Sequence, residues 1–454
     1  MTLREACTVA ACIAGCLAAW ASGPAGAVTD AERIEANQQF REAFDARKYA
    51  EALPFAEKVV ALTEEQYGKD GRALVNPLTN LGTVHYRLKD YPAAEKDYQR
   101  GIDILEKTAG TTDRQLLRPL QGLGVSHYAE NEYVDASVAL KRAIDLSRNL
   151  DGLFNADQLQ ILEPLIASYV ALDLTTEAEK EQQYALRVAE TAYGRMDARM
   201  LKPLDQYGRW LEKIGRYTSA RLLYARALTI AEQTAGRGSL AAVDPLLGIA
   251  RTYRLEFVNG AEEAPAAQDA FSDPNLSGLG SDPQRLNTDG ERALRLALQA
   301  IEKTQPIDHR KRADTLLELG DWYMSAGGIG RGIDTYREAW KDYVLAGDTT
   351  VMTQPRALLY RAPPSSSKRS SLRPDEADEH FVEVKFSVMK DGRTDDVQIA
   401  GSDATENTQR ATASAVKKAR YCPKFEAGEP VETHDVTLRE KILVKAKSSS
   451  STGS

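Results

Sequence analysis

Histidine is the side chain best suited to acid–base chemistry and metal binding near neutral pH. The sequence contains five histidines, at positions 85, 127, 309, 380 and 434. His85 and His127 occupy equivalent positions of an internal repeat, in which the other copies place a tyrosine or a leucine. We therefore expect both side chains to pack within the repeat rather than to bind a metal.

Other patterns that carry chemistry are missing. Cysteine and histidine do not cluster at the spacing of metal ligands, and no glycine-rich loop between a strand and a helix predicts phosphate binding. Of the four cysteines, three fall within the first sixteen residues, so they do not build a disulfide framework. Acidic pairs such as Glu262 and Glu263 are typical of a solvated surface. The sequence predicts no catalytic residue, no metal and no cofactor, and hence no enzyme.

The charge balance argues against binding to nucleic acid or to an anionic membrane. The chain has 454 residues, with 58 Lys plus Arg against 66 Asp plus Glu and a formal net charge of -8. Nucleic-acid binding usually needs a basic surface. Because 43% of the residues are hydrophobic, the chain can bury substantial cores, and its length predicts two or three domains.

The beginning of the sequence has the pattern of a secretory signal peptide. Arg4 precedes the apolar residues 7–20, and residues 25–27 form a small-residue site of the kind that signal peptidase cleaves. We expect residues 1–27 to be removed, because about fourteen apolar residues are fewer than the roughly 20 that a membrane-spanning helix needs. Residues 13–16 also resemble the lipobox of bacterial lipoproteins, which would make Cys16 the lipidated first residue. Both interpretations place the protein outside the cytoplasm, with the periplasm favoured.

An internal period of 42 residues extends over about residues 31 to 347. A large apolar column contains Leu81, Leu123, Leu165, Tyr207 and Ile249, and a small-residue column contains Ala52, Ala94, Ala136, Ala178 and Ala220. Each unit is predicted to form two helices, with a proline such as Pro77 in the first turn, where no N–H is needed. We expect Gly82 to face Ala94 where these helices cross. Because an isolated hairpin exposes an apolar face, the hairpins should stack into an α-solenoid.

This pattern resembles the tetratricopeptide repeat, which places large, small, aromatic and alanine residues at fixed offsets. Matching sets are Leu81, Gly82, His85, Ala94, Tyr98 and Gly101, then Leu123, Gly124, His127, Ala136, Leu140 and Ala143, and later Leu319, Gly320, Tyr323, Gly332, Tyr336 and Ala339. The length of 42 residues is similar to that of the repeats of kinesin light chains. The resemblance implies about six helical hairpins within residues 28–347 and a function in protein binding.

Residues 259–290 interrupt the fifth of these units. They are rich in Ala, Asp, Gly, Pro and Ser, which predicts a flexible insertion between two helices. A surface loop is the favoured interpretation, and a functional lid is the alternative.

The pattern changes after the repeats. Residues 348–378 lack periodicity and contain a Pro-Pro-Ser-Ser-Ser run, which predicts a linker. Residues 379–446 then contain two strands with apolar residues at every second position, a helix near 405–420 and a last strand. This order predicts a small α+β domain with the helix on one face of an antiparallel sheet. Residues 447–454 are expected to be a disordered tail.

The C-terminal pattern resembles the C-terminal domain of TonB, the bacterial energy transducer. The residues that carry the resemblance are Asp391, Gly392, Arg420, Tyr421, Pro423, Gly428 and Pro430. The resemblance implies that the domain binds an extended peptide, such as a segment of an outer-membrane receptor, at a sheet edge. We expect neither the uncleaved anchor nor the long Pro/Lys spacer of a transducer, and therefore the binding fold without motor coupling.

Peptide capture by the repeats would use the first helix of each unit, which should line the concave surface. The candidate partner-binding residues are Asn76, Thr79, Thr83, Tyr86, Arg118, Gln121, Tyr128, Lys202, Asp205 and Arg209. Any one of them is equally well explained as part of a solvated helix face. The sequence thus predicts a mainly α protein that acts as a non-catalytic periplasmic scaffold for envelope proteins or extended peptides. The alternative is a component of TonB-dependent energy transduction or transport across the outer membrane.

Overall fold

The computed structural model describes residues 25–259, 283–367 and 377–445. The apolar part of the predicted signal peptide, Cys16, most of the predicted insertion and the predicted tail lie outside these residues. The chain divides into two compact units, residues 1–192 and 193–454, each with its own packing.

The described part of the first unit contains eight helices, which pair in chain order into four hairpins; in the fourth, the Tyr184 hydroxyl donates to Gln158 Oε1 at 2.7 Å. Their bounds are α1 Ala25–Asp45, α2 Tyr49–Tyr67, α3 Val75–Arg87, α4 Tyr91–Ala109, α5 Leu117–Ala129, α6 Tyr133–Asp151, α7 Gln158–Ala171 and α8 Thr175–Tyr193. Short 3-10 turns at Arg72–Leu74 and Arg114–Leu116 lead into α3 and α5. Buried Leu, Ile, Val and Ala side chains from these hairpins form one continuous apolar cluster.

Residues with a left-handed backbone conformation lie at the helix ends of this first unit. The residue two positions before the second helix of each hairpin has a positive φ, as at Lys89 (66°) and Asn131 (65°). A glycine follows the second helix, and at Gly110 φ is 85°, a conformation that residues with a Cβ rarely adopt. These two positions end each helix and fix where the chain reverses.

Tyr98 fills the space between neighbouring first helices. Its ring is 3% exposed and lies against Gly82 of α3 and Gly122 of α5. A Cβ at Gly82 would lie 2.9 Å from the ring Cε1 atom, so the ring occupies the space that the glycine leaves open. The atoms nearest to Gly82 belong to Tyr98, one helical turn after Ala94 on α4.

The second unit begins with six helices that form three more hairpins. Their bounds are α9 Leu201–Lys213, α10 Tyr217–Ala235, α11 Val243–Asn259, α12 Pro283–Glu302, α13 His309–Ser325 and α14 Ile329–Leu345. The described residues thus contain seven hairpins, one more than the about six that the sequence predicts. Residues 283–290, which the sequence assigns to the flexible insertion, belong to helix α12.

A small strand-rich domain completes the second unit. Its elements are β1 Arg356–Leu359, β2 Ala377–Val388, β3 Thr394–Ser402, α15 Glu406–Lys418, β4 Arg420–Cys422, β5 Lys424–Glu426, β6 Glu429–Val431 and β7 Thr433–Lys445. The main sheet has the order β3-β2-β7 and is antiparallel, with Val384 opposite Ile399 on one side and Leu438 on the other. This confirms the predicted fold class, a run of helical hairpins followed by a small α+β domain.

Strand β2 supplies the core of this domain. Val382, Val384, Phe386 and Val388 are at most 1% exposed, as expected for apolar residues at every second position of a strand. Val416 of α15 joins their cluster, so the helix covers that face of the sheet.

The described part of the predicted linker, residues 348–367, is not a free tether. Met352 and Leu358 are buried against Phe425, and strand β1 pairs with β4. Met352 precedes β1, and its carbonyl accepts a hydrogen bond from the Phe425 N–H at 2.8 Å, so its backbone is paired as well. The segment therefore belongs to the folded C-terminal domain.

Candidate functional site

The main sheet has two edges, and they differ in regularity. Strand β3 pairs with β2 through a register that shifts twice, and Asp396 in one of these bulges has φ 51°. Bulges twist an edge and hinder the addition of another strand. Strand β7, at the other edge, pairs with β2 without a shift from Val436 to Lys445. The β7 edge is therefore the better template for an added strand.

A short stretch of this chain already lies on the outer edge of β7. The Ser367 N–H donates to the Lys441 carbonyl at 2.8 Å, and the Leu443 N–H donates to the Ser365 carbonyl at 2.9 Å. Among the described residues, the backbone of β7 from Thr433 to Arg439 has no such partner on that side. This stretch, which we call the β7 open edge, offers unpaired N–H and C=O groups to an extended segment.

The domain that carries this edge is packed on the last helical hairpin. Phe425 is 1% exposed and lies between two rings of α14, with centroid distances of 5.9 Å to Tyr336 and 6.4 Å to Trp340. Cys422 joins the same apolar cluster. Burial of one such aromatic side chain contributes about 1.5–3 kcal/mol, so apolar packing stabilises the attachment of the C-terminal domain to α14.

Buried charges reinforce this junction. Asp321 of α13 is fully buried and accepts hydrogen bonds from Arg356 of β1 and from the Tyr336 hydroxyl, each at 2.7 Å. Arg254 of α11 lies 3.8 Å from the same carboxylate. Burial raises the pKa of Asp321, although Arg356 and Arg254 oppose the rise. A second pair, Arg337 with Glu429 at 2.8 Å, lies at the surface of the junction.

The TonB-like motif residues shape turns of the domain. Gly392 has φ 77°, and a Cβ there would overlap the Tyr421 carbonyl oxygen. Asp391 accepts a hydrogen bond from the Arg393 N–H at 3.0 Å, and the Tyr421 N–H donates to the Gly392 carbonyl at 2.9 Å. These contacts bring the β2–β3 turn against strand β4.

The remaining motif residues lie in β4 and in the hairpin that follows it. Gly428, with φ 85°, makes the β5–β6 turn beside Trp340, and Pro430 pairs with Phe425. Arg420 donates to the Ala419 carbonyl at 2.8 Å, and Pro423 is buried. These contacts shape the β5–β6 hairpin and pack it against α14.

The candidate residues of the first unit differ in accessibility. Asn76, Arg118 and Tyr128 are exposed, whereas Thr83, Tyr86 and Gln121 are half-buried. Thr79 is 3% exposed and its hydroxyl donates to the Val75 carbonyl at 2.7 Å. Because Thr79 has no free surface, its assignment as a partner-contacting residue is corrected.

In the second unit the candidates lie on α9. Lys202 and Arg209 are exposed, and Arg209 Nε donates to Asp205 Oδ2 at 2.8 Å, one helical turn away. A partner would therefore meet a neutralised Asp205–Arg209 pair rather than two independent charges.

Both repeat histidines contact carboxylates. His85 Nδ1 lies 2.8 Å from Asp97 Oδ2. His127 Nδ1 lies 2.8 Å from both Glu95 Oε1, on α4, and Glu132 Oε2, just before α6. Burial raises the pKa of Glu95 to about 7, with His127 opposing the rise and Glu130 and Glu132 adding to it. Sequence periodicity could not reveal this group, because Glu95 and Glu132 belong to no repeat column.

Comparison with known families gives two matches. Residues 43–107 and 75–149 match the tetratricopeptide repeat, and residues 379–438 match the Gram-negative bacterial TonB protein C-terminal domain. The chain contains tetratricopeptide repeats and a TonB C-terminal domain. Both families are generally non-catalytic; the repeats indicate protein–protein interaction, and the TonB C-terminal domain indicates a role connected with the Gram-negative envelope.

Solved structures similar to parts of this chain share little sequence identity with it. The nearly identical TPR-like repeats attributed to a kinesin light chain of Podosopora anserina share 14% identity, cover 47% of this chain and 99% of their own, and give a TM-score of 0.41. The apo form of RapI shares 13% identity, covers 70% of this chain and 99% of its own, and gives 0.40. Aspartyl phosphate phosphatase F from Bacillus subtilis shares 11% identity, covers 70% and 72%, and gives 0.39.

The comparison with curated proteins finds no match. In the part of the chain that the structure describes, no helix is both long and apolar enough to cross a bilayer. The functional information from these comparisons therefore comes from the two family matches.

Proposed function

We propose that the protein is a non-catalytic periplasmic scaffold, in which the tetratricopeptide repeats hold one protein partner and the TonB C-terminal domain pairs with an extended segment of another. The observation that carries the proposal is the β7 open edge on a domain that is packed against the last repeat hairpin. A strand that binds there would be held in a fixed position relative to α13 and α14, which is what a scaffold requires.

The choice of β7 over β3 rests on backbone geometry. Residues 365–367 pair with the outer side of β7 in antiparallel orientation, so this edge accepts strand hydrogen bonds. The two register shifts of β3 make it the weaker template. Side chains of the β7 open edge that face solvent, such as Thr437 and Arg439, would give the pairing its sequence preference.

The repeat surface is the second half of the proposal. Asn76, Arg118 and Tyr128 are exposed on first helices of the first unit, and α3 and α5 are neighbours. A surface that combines an amide, a cation and an aromatic ring suits a peptide with both polar and apolar side chains. It is less suited to a peptide that is recognised through an anionic tail.

Photo-cross-linking in cells tests the edge assignment. The reactive residue p-benzoylphenylalanine would replace Thr437 on β7, Gln398 on β3, or Ser414 on the exposed side of α15. We expect a discrete adduct from position 437 and none from 414. An adduct from 398 alone would move the binding edge to β3, and identical patterns at all three positions would refute strand pairing.

The cellular location is tested by the mass of the mature protein. A chain that begins at Val28 supports cleavage after Ala27 and a soluble periplasmic scaffold. A diacylated Cys16 supports a lipid-anchored protein instead. An intact Met1 would contradict both forms of processing.

Participation in TonB-dependent transport is a second candidate, which the match of residues 379–438 to the TonB C-terminal family favours. Deletion of the chain should then abolish receptor-dependent uptake of a substrate such as an iron complex. Unchanged uptake, together with a retained cross-link at position 437, would exclude the transport role and support the scaffold role.

A further inference from the structure

One histidine of the repeats stands between two carboxylates. His127 Nδ1 contacts Glu95 Oε1 and Glu132 Oε2, both at 2.8 Å, and the three ligand atoms lie within 4.8 Å of one another. Glu95 belongs to the second hairpin, whereas His127, in the last turn of α5, and Glu132, just before α6, belong to the third. The group therefore joins two successive repeats.

One proton on His127 Nδ1 does not give both carboxylate oxygens a hydrogen bond. Nδ1 carries at most one proton, and the contact with Glu132 Oε2 has hydrogen-bond geometry. Glu95 Oε1, at the same distance from the same nitrogen, is buried and has no hydrogen-bond partner. A buried acceptor without a partner is unfavourable by about 1–3 kcal/mol, so a ligand that satisfies both oxygens would be stabilised there.

We propose that Glu95, His127 and Glu132 form a binding site for a divalent transition cation, with Zn²⁺ as the best-suited ion. A cation in place of the Nδ1 proton contacts the nitrogen and both carboxylate oxygens at once. Metal–ligand bonds of about 2.1 Å place neighbouring ligand atoms about 3.0–3.4 Å apart, close to the observed contacts. Three protein ligands leave coordination positions for water.

The chemistry of the ligands selects the ion. An imidazole nitrogen favours Zn²⁺ over Mg²⁺ or Ca²⁺, which prefer oxygen ligands throughout. The charge also fits, because two carboxylates neutralise a divalent cation and Glu130 adds a further negative charge nearby. The bound ion would clip helix α4 to the α5–α6 turn and so stabilise the stacking of these hairpins.

The chain provides its own control. His85 occupies the position in the preceding repeat that His127 occupies in its own, and its Nδ1 contacts a single carboxylate, Asp97. One carboxylate and one imidazole make a poor site, so His85 should not bind the ion. A comparison of His85→Gln with His127→Gln therefore separates metal binding from the loss of a repeat histidine.

Calorimetric titration of the full chain with ZnCl₂ tests the proposal. Because cysteines also bind Zn²⁺, every protein in the series carries Cys7→Ser, Cys12→Ser and Cys16→Ser. We expect one equivalent of Zn²⁺ to bind to this parent and to its His85→Gln variant, and MgCl₂ to give no binding.

The expected loss is measured with His127→Gln and with Glu132→Gln, each of which should bind Zn²⁺ at least about 10- to 100-fold more weakly. Glu132 is half exposed, so its substitution leaves folding intact even if that of His127 does not. Zn²⁺ should also raise the melting temperature of the parent and not that of Glu132→Gln. Absence of binding to the parent, or equal affinity in all variants, would overturn the site.

Discussion

Arg356 of strand β1 donates a hydrogen bond to Asp321 of helix α13 at 2.7 Å, and the Asp321 carboxylate is fully buried. This contact joins the C-terminal domain to the repeats through a segment that sequence patterns identify as a linker. Loss of a cation beside a buried carboxylate is strongly unfavourable, so Arg356 contributes to holding the domain on α13.

Replacement of Arg356 by methionine should therefore destabilise the second unit by about 2–4 kcal/mol. The value lies below the usual range for a broken buried ion pair because Arg356 is partly exposed and Tyr336 still donates to Asp321. The measurement is urea unfolding followed by tryptophan fluorescence, since Trp210, Trp322 and Trp340 all lie in this unit.

Arg337→Met is the matched control for that experiment. Its partner Glu429 also links the repeats to the C-terminal domain, but both side chains are exposed. Surface pairs contribute about 0–1 kcal/mol, so this variant should unfold almost as the wild type does. Equal losses for the two variants would contradict the importance of burial at Asp321.

Cys422 should report on the integrity of the junction through its reactivity. Burial, with the negative charge of Asp321 adding to it, raises the pKa of the Cys422 thiol to about 12. At pH 8 the thiolate fraction is then about 1000-fold below that of an ordinary cysteine, and the thiolate is the reactive form. We expect iodoacetamide to label Cys422 very slowly in the native chain, as followed by mass spectrometry of the peptide that contains it.

Phe425→Ala should accelerate this labelling, because the cavity that it leaves costs about 3–5 kcal/mol and opens the cluster around Cys422. Phe381→Ala is the control, since Phe381 stacks on Arg439 outside that cluster. Rapid labelling of the native wild type would show that the thiol is accessible without opening of the junction.

Sequence periodicity predicts the repeats well for a physical reason. A helical hairpin must bury the same face in every copy, so its apolar positions recur at one step, and Leu81 and Leu123 are both buried as this requires. The glycines at positions 68, 110 and 152 keep the same step and end the second helices, and they are a sequence signal for those boundaries that the apolar columns do not contain.

The contacts of the junction and of the histidine group follow no period. Asp321 and Arg356 meet because the C-terminal domain docks on α13, and nothing in the local sequence of either residue indicates the other. Glu95 approaches His127 from a different hairpin. Such pairs depend on how elements pack in three dimensions, which residue types and spacing within one segment do not determine.

Gly392 tests the turn that the TonB-like motif builds. An alanine there must adopt φ 77° and its Cβ would overlap the Tyr421 carbonyl oxygen, so we expect a loss of about 3–5 kcal/mol in the urea experiment. Gly236→Ala separates the two effects, because φ is 88° but no atom lies within 4 Å of the added Cβ. Gly236→Ala should lose only about 1–2 kcal/mol. A loss at Gly392 no larger than that at Gly236 would mean that β4 moves away without penalty.

The space that Tyr98 fills makes a last prediction about how the repeats stack. A Cβ at Gly122 would overlap the Tyr98 ring, so Gly122→Ala should destabilise the first unit by about 1–3 kcal/mol and speed hydrogen exchange in α4 and α5. Gly101 is the control. It lies in α4, like Tyr98, and the nearest atom to an added Cβ there is 3.9 Å away. Gly101→Ala should therefore be neutral or stabilising, because alanine favours a helix over glycine by about 1 kcal/mol.

The third hairpin suggests how the clash at Gly122 can be relieved. Leu140 there takes the position that Tyr98 has in the second hairpin, and it packs against Gly124. Tyr98→Leu should accordingly restore part of the stability that Gly122→Ala removes, whereas in the wild-type background it should be destabilising because the ring leaves a gap. Additive losses in the double variant, measured by thermal unfolding and by hydrogen exchange of α4 and α5, would show that residue 122 acts on something other than the tyrosine ring.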